Sequence, residues 1–284
     1  MIVLDTILAV QNALESSRQS GSVGFVPTMG CLHEGHLSLV KKCMDECDTT
    51  IVSIFINPTQ FNDQQDFDTY PRETTADLKM LEELGVDMVF LPNAEDIFPK
   101  NCEISVVPGK SAETLCGLSR GGHFRGVLTV VAKLFNIVQP HISYFGAKDY
   151  QQFLLISKMV SDLNFPIELR LGDTVREEDG LAMSSRNNNL SVSEREEAPI
   201  LYQALEYGEK QIRKGEPNAL KVIEAMMTMI IENSSFSIDY LSIVDPVTLE
   251  DVLESSPAKA CLIAIAANIG TTRLIDNILH LPSK

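Results

Sequence analysis

The sequence predicts an α/β protein: a Rossmann-like parallel-sheet domain followed by a smaller α+β domain. Three observations carry this. Short β-branched runs alternate with helically spaced apolar residues from residue 23 to residue 171. Near Thr174 that alternation gives way to two helical stretches and then β-rich runs. The 284 residues are 44% hydrophobic and 22% charged, an ordinary globular balance that fits one large or two modest domains.

Taken in order, residues 23–26 form an apolar run ended by Pro27 and Gly30, which reads as a buried strand. From His36, the positions Leu37, Val40, Cys43 and Met44 recur at helical spacing. Residues 51–56 are a second β-branched run, stopped by Asn57-Pro58. A helix over residues 73–84 ends at Gly85, and residues 86–91 make the next strand before Pro92. A long apolar helix follows over residues 126–138, then strand 142–145, helix 150–163 and strand 167–171. The alternation implies βαβ units, with helices on both faces of a parallel sheet. Beyond a polar loop, Ser193 is placed to N-cap a helix reaching Arg213, with Glu196 at the capping-box position. A second helix over residues 218–233 precedes strands at 238–244, 261–266 and 273–279. The expected domains are residues 1–174, the Rossmann-like sheet domain, and residues 175–284, the smaller α+β domain.

Composition excludes several functions. A formal charge of −16 argues against a nucleic-acid partner, which needs a broad Lys/Arg field. An acidic protein can still bind a nucleotide if its few cations are gathered locally. The six cysteines (Cys31, Cys43, Cys47, Cys102, Cys116, Cys261) include no C-x-x-C pair, so they read as reduced thiols of a cytoplasmic protein. The N-terminus lacks the basic region and cleavage site of a signal peptide. Apolar stretches such as residues 127–138 are broken by Lys133 and Asn136 and are too short to span a bilayer, so no membrane partner is expected.

Two segments carry the chemistry. In Met29-Gly30-Cys31-Leu32-His33-Glu34-Gly35-His36, a strand hands over to a helix. Its glycines permit close backbone approach, and the first helical turn offers N–H groups to anions. Two imidazoles there suit phosphate oxygens and the charge that builds during nucleotidyl transfer. A packed histidine beside a capping one is the plainer reading; a metal pair lacks both the zincin spacing and an obvious third ligand. The second segment, around Met183-Ser184-Ser185-Arg186, places two hydroxyls and a guanidinium on one loop, a combination suited to a triphosphate but equally an ordinary connector.

Together, the H-x-G-H motif and the late Met-Ser loop resemble the nucleotidylyltransferase superfamily, shared with class I aminoacyl-tRNA synthetases. The match narrows to the pantothenate synthetase family through Phe25-Val26-Pro27-Thr28-Met29-Gly30, Ser53-Ile54-Phe55-Ile56-Asn57-Pro58-Thr59-Gln60-Phe61, Tyr70-Pro71-Arg72, His123-Phe124-Arg125-Gly126-Val127, Phe145-Gly146-Ala147-Lys148-Asp149-Tyr150-Gln151-Gln152, Asp179 through Asn187, and Gly270-Thr271-Thr272-Arg273-Leu274-Ile275-Asp276-Asn277. The resemblance runs essentially from end to end. It implies an ATP-dependent acid–amine ligase that joins pantoate to β-alanine through a pantoyl-adenylate, uses Mg²⁺ with ATP, and works as a homodimer in coenzyme A biosynthesis. It implies that residues 29–36, Gly146, Ala147, Lys148, Asp149, Val175, Met183, Ser184, Ser185 and Arg186 bind ATP, that Gln60 and Gln152 hold substrate, and that His36, His33 and Lys148 serve catalysis. It assigns no metal ligands. An amide suits pantoate, since it pairs with a carboxylate or a hydroxyl without adding charge.

The sequence departs from the family at Ala147 and Cys116, positions where these enzymes commonly carry Glu, and at Gly121, often Pro. Activity with modestly changed kinetics is the expectation. Another nucleotidylyltransferase or a non-catalytic homologue are the competing readings. A small aminoacyl-tRNA synthetase is disfavoured by the acidic charge.

Overall fold

The computed structural model describes residues 1–62 and 64–282. They group into two compact units: Met1–Ala112 with Arg120–Ala147 and Gln151–Asp173, and Glu113–Ser119 with Lys148–Tyr150 and Thr174–Lys284.

The first unit is built on a six-stranded sheet of β1 (Ile2–Leu4), β2 (Val23–Thr28), β3 (Thr49–Ile54), β4 (Met88–Phe90), β5 (Ile142–Gly146) and β6 (Glu168–Gly172), in the order β1-β4-β3-β2-β5-β6. Every pairing is parallel. Because successive strand residues face opposite ways, each strand feeds two cores. On one face Val26, Val52, Val89 and Tyr144 pack with Leu37, Val40 and Cys43 of helix Glu34–Glu46 and with Leu81 of helix Thr74–Leu84. On the other, Phe25 and Phe145 meet Phe135 of helix His123–Val138 edge-on, each at 6.4 Å between ring centroids. The predicted α/β class is what the chain adopts, with helices on both faces.

Several boundaries differ from expectation, each for a physical reason. Strand β1 and helix Ile7–Ser20 open the chain, and the helix is N-capped by Thr6, whose hydroxyl accepts from the Ala9 amide at 3.3 Å. β2 continues through Pro27 to Thr28. The Val23 carbonyl faces β5, accepting from the His141 amide, and the Phe25 carbonyl does the same with the Ser143 hydroxyl. By alternation Pro27, which has no N–H, also faces β5, just beyond the last registered β2–β5 pair, Phe25↔Ser143. The helix expected to run from Ser193 is two. Ser191 caps helix Val192–Glu197 in a capping box with Glu194, rather than Ser193 with Glu196, and helix Ile200–Arg213 starts anew after Pro199, which cannot donate an i→i−4 bond.

In the second unit, helices Ile200–Arg213 and Ala219–Asn233 cover an antiparallel sheet of β7 (Ser237–Val244), β8 (Cys261–Ile269) and β9 (Thr272–His280), with β8 central. Their core gathers Leu201, Leu205, Val222, Met226, Ile263 and Ile265. Among the described residues no helix is long and apolar enough to cross a membrane.

Leu205 is fully buried in this core, so Leu205→Ala is expected to cost about 2–5 kcal/mol. Urea denaturation checks this: the midpoint falls while the slope is kept.

Candidate functional site

The first unit has one topological switch point. From β2 the chain steps to β3 and β4 on one side, then returns to place β5 on the other. In open α/β sheets, ligands bind at the carboxyl ends of the strands where the order reverses. Here the β2–β5 ladder holds two registered pairs, against six between β2 and β3. Thr28 and Gly146 are the last residues of the two strands flanking that point, and the H-x-G-H segment leaves from the first of them.

The segment leaves β2 through a left-handed turn, with φ at 79° for Gly30 and 50° for Cys31. The cost at Cys31 is offset by a residue far away in sequence. Asp77, 1% exposed on helix Thr74–Leu84, accepts the Leu32 amide at 2.7 Å and the Cys31 amide at 2.9 Å. A Cβ at Gly30 would sit 2.9 Å from that carboxylate and 3.1 Å from Ile54, so the position requires glycine for space as well as for φ.

His33 is then the N-cap of helix Glu34–Glu46, and both histidines share one capping box. His33 Nδ1 accepts from the Gly35 amide at 3.2 Å, and His36 Nδ1 faces the His33 amide at 3.4 Å. The rings lie 4.1 Å apart between centroids. An Nδ1 that accepts a backbone N–H carries no proton, so the neutral rings hold theirs on Nε2. The cap thus supplies two imidazole N–H donors beside the positive end of a helix, an arrangement suited to phosphate oxygens.

Gln60 closes a short turn after β3. Buried Asn57 donates to Gln60 Oε1 at 3.0 Å and to the Gly126 carbonyl at 3.2 Å. With Oε1 so engaged, the amide presents its Nε2 donor end, which lies 2.8 Å from Met29 Sδ. The Gln60 carbonyl is bridged to His123 Nδ1 at 2.7 Å. Helix His123–Val138 comes so near that a Cβ at Gly126 would collide with the Thr59 backbone. Gln152 is half-buried on helix Tyr150–Asp162. Its neighbour Gln151 is the more buried and donates to the Ser111 carbonyl at 3.0 Å.

Gly146 and Ala147 stay in the first unit, whereas Lys148, Asp149, Val175 and Met183 to Arg186 lie in the second. Lys148 Nζ stands 3.8 Å from Asp149, with the lysine side chain 19% exposed and the aspartate 47%. Residues 175–187 form a braced loop. The Met183 amide bonds the Val175 carbonyl at 3.0 Å. Arg176 meets Asp276 in a two-pronged pair at 2.6 and 3.0 Å and lies 3.7 Å over the Tyr202 ring. Arg195 joins Glu177 at 2.5 Å and Asp179 at 2.6 Å. Ser184 Oγ caps the 3₁₀ turn Ser185–Asn189 through the Arg186 amide, and Ser185 is buried.

The structure therefore sets Gln60 against Met29, which leads into the H-x-G-H segment, and builds Val175, Met183, Ser184 and Arg186 into one braced loop. The residues that support these segments, Asp77, Asn57, Arg176, Asp276 and Asn277, were not singled out as functional from sequence; Asp77, Arg176, Asp276 and Asn277 act across long sequence separations, and Asn57 reads as an ordinary turn residue before Pro58. At Cys116, where the family commonly has Glu, Sγ lies 3.1 Å from Tyr240 Oη and 3.7 Å from the nearest Arg273 nitrogen, while Asp239 binds that guanidinium at 2.7 Å. The arginine keeps a carboxylate partner without a Glu at 116. Burial, with Cys116 alongside, pushes the Tyr240 phenol up.

Comparison with known proteins gives a consistent picture. A family model described as pantoate-beta-alanine ligase matches residues 2–279. A pantothenate synthetase of Thermoanaerobacter sp. is 51% identical over 280 residues, 98% of each chain. One from Leptospira biflexa is 47% identical over 279 residues, again 98% of each. A crystal structure of pantothenate synthetase from Thermus thermophilus superposes with a TM-score of 0.94 at 41% identity, covering 99% of this chain and 100% of that one. The Francisella tularensis pantoate-beta-alanine ligase, crystallised with beta-gamma ATP and beta-alanine, gives 0.83 at 36% identity, covering 99% and 98%.

Two expectations follow from the bracing. Asp77→Ala leaves two backbone amides without their acceptor and is expected to cost about 1–3 kcal/mol per amide, read as a lowered melting temperature. Hydrogen bonding to Arg195 holds the Asp179 carboxyl below its ordinary value of 3.8. Its contribution is therefore present above that value and is lost as pH falls through the depressed one. Asp179→Asn should lose that contribution near neutrality and so flatten that part of the acid limb in a stability–pH profile, the two profiles converging at low pH.

Proposed function

The chain belongs to the pantoate-β-alanine ligase family, and we infer that it condenses pantoate with β-alanine using ATP, giving pantothenate, AMP and pyrophosphate. The observation that carries the reading is the histidine-capped helix at the sheet's switch point, with two Nε2–H donors fixed by their own backbone.

In the first step a pantoate carboxylate oxygen bonds to the α-phosphorus of ATP. The bond from that phosphorus to the bridging oxygen breaks, and pyrophosphate leaves with the electron pair. Residues 29–36 line the nucleotide, and His33 and His36 donate to phosphate oxygens as charge shifts toward the leaving group. Lys148, Ser184, Ser185 and Arg186 take up the charge of the departing pyrophosphate, Asp149 meets a ribose hydroxyl, and Gly146, Ala147, Val175 and Met183 complete the ATP contacts. Gln60 and Gln152 hold pantoate. The donor end of Gln60 matches a carboxylate, and its orientation is set by Asn57. In the second step the β-alanine amine attacks the acyl carbon, the C–O bond to phosphate breaks, AMP leaves, and the amine loses a proton.

Among the described residues no three His, Cys, Asp or Glu side chains converge as a metal site. The family resemblance implies Mg²⁺ with ATP, where it would neutralise charge on the triphosphate. The family resemblance supports a homodimer, which light scattering would report as twice the 31.4 kDa chain. It also supports work in the cytoplasm, in keeping with cysteines that form no disulfide among the described residues.

The test is to incubate the protein with ATP, Mg²⁺, pantoate and β-alanine, then omit each in turn. Pantothenate and AMP should form only with all present, and pyrophosphate release indifferent to pantoate would sink the assignment. His36→Ala should lower turnover by ~10²–10³-fold with the fold intact by circular dichroism.

A further inference from the structure

The C-terminal Asp276-Asn277 pair is part of a motif to which the reaction above gives no role. Asp and Asn are poor strand residues, yet both sit buried in β9. Residues that break a local rule mark a site where something else is gained.

Adjacent strand residues point to opposite faces, and these two use both. Asp276 shares the face of Leu274 and Ile278, which pack on the helical core, and takes both prongs of Arg176 at 2.6 and 3.0 Å. Arg176 also donates to the Gly180 carbonyl at 3.1 Å, which fixes the start of the loop bearing Met183, Ser184 and Arg186. Asn277 points the other way, and its Nδ2 donates to the Lys148 carbonyl at 2.8 Å. The two are locked together, since the Asn277 amide donates to Asp276 Oδ1 at 2.8 Å. One dipeptide step of β9 therefore anchors two segments that are distant in sequence, the Lys148 turn from one face and the loop from the other.

We propose that Asn277 is a positioning residue for adenylation: it sets the Lys148 turn at a fixed offset from the Arg176-anchored loop, so that their cations meet the same leaving pyrophosphate. The proposal rests on the assignment of Lys148 to phosphate made above. Asn277 holds the backbone of Lys148, and it acts through that residue. A displacement of the lysine by a fraction of its reach is enough to weaken charge stabilisation that depends on fixed geometry.

Pantoate-dependent exchange of labelled pyrophosphate into ATP tests this, with Lys148→Ala, Asn277→Ala, Asn277→Asp and the Lys148→Ala/Asn277→Ala double variant. Both Asn277 variants lack the donor, but Asp keeps the side-chain volume. Each should lower exchange kcat/KM for ATP by ~10-fold or more even where their melting temperatures differ, with the KM for β-alanine in the full reaction unchanged. In the Lys148→Ala background the Asn277→Ala loss should shrink to about 2-fold, the non-additivity expected of residues acting through one another. Exchange at the wild-type rate in both Asn277 variants overturns the proposal, and so does an equal loss in both backgrounds. A wild-type rate in Lys148→Ala overturns instead the phosphate assignment itself, and the proposal with it.

Discussion

A buried carboxylate with two backbone amides on it governs how the first unit presents its chemistry. Asp77 is enclosed on helix Thr74–Leu84, and its oxygens are spent on the amides of Cys31 and Leu32. Without that acceptor, the left-handed Gly30–Cys31 turn would bury two unmet N–H groups, and the strained φ of Cys31 would have no compensation. With it, the chain leaves β2 on a fixed heading, His33 arrives where a helix can begin, and the two imidazoles fall into one capping box. The orientation of the histidines thus descends from a residue more than 40 positions away.

That dependence explains what the sequence could and could not disclose. The strands and helices of the parallel sheet were legible because each depends on local periodicity, and Gly85 marked a helix end because its φ of 89° suits only glycine well. The histidine segment was legible as a candidate site for the same reason: strand, glycine and helix start are neighbours in sequence. Asp77 and Asn277 were not, because an Asp inside an amphipathic helix or an Asn in a strand looks like any solvated polar residue until its partner is known. The helix cap at Ser191 was misplaced by two residues because Ser191, Ser193, Glu194 and Glu196 offer two overlapping capping patterns. Pro199 limited the first helix, and only the Glu194 choice closes the box.

The two segments proposed to bind nucleotide differ in their physics. The histidine cap offers neutral donors and a helix end, which suits a protein with a formal charge of −16, since such a cap would attract phosphate without fixed positive charge. The loop of the second unit instead carries cations, and there the scarce arginines are divided by structural task. Arg176 and Arg195 are consumed by Asp276, Glu177 and Asp179 in holding the loop's shape, while Arg186 is carried on the turn that they brace. Arg273, beside Cys116, is held in the same manner, with Asp239 supplying its carboxylate.

The division into units is not a division of the chain. Each unit is assembled from three segments, so the backbone passes from one to the other five times. A cut after Asp173 would deprive the second unit of Glu113–Ser119 and Lys148–Tyr150, and with them Cys116 against Tyr240 and the Lys148 carbonyl on Asn277. Neither half is therefore a transferable module. Chimaeras that join the front of one family member to the back of another would separate partners that must be inherited together, which ties the evolution of the C-terminal strand to that of short segments far upstream.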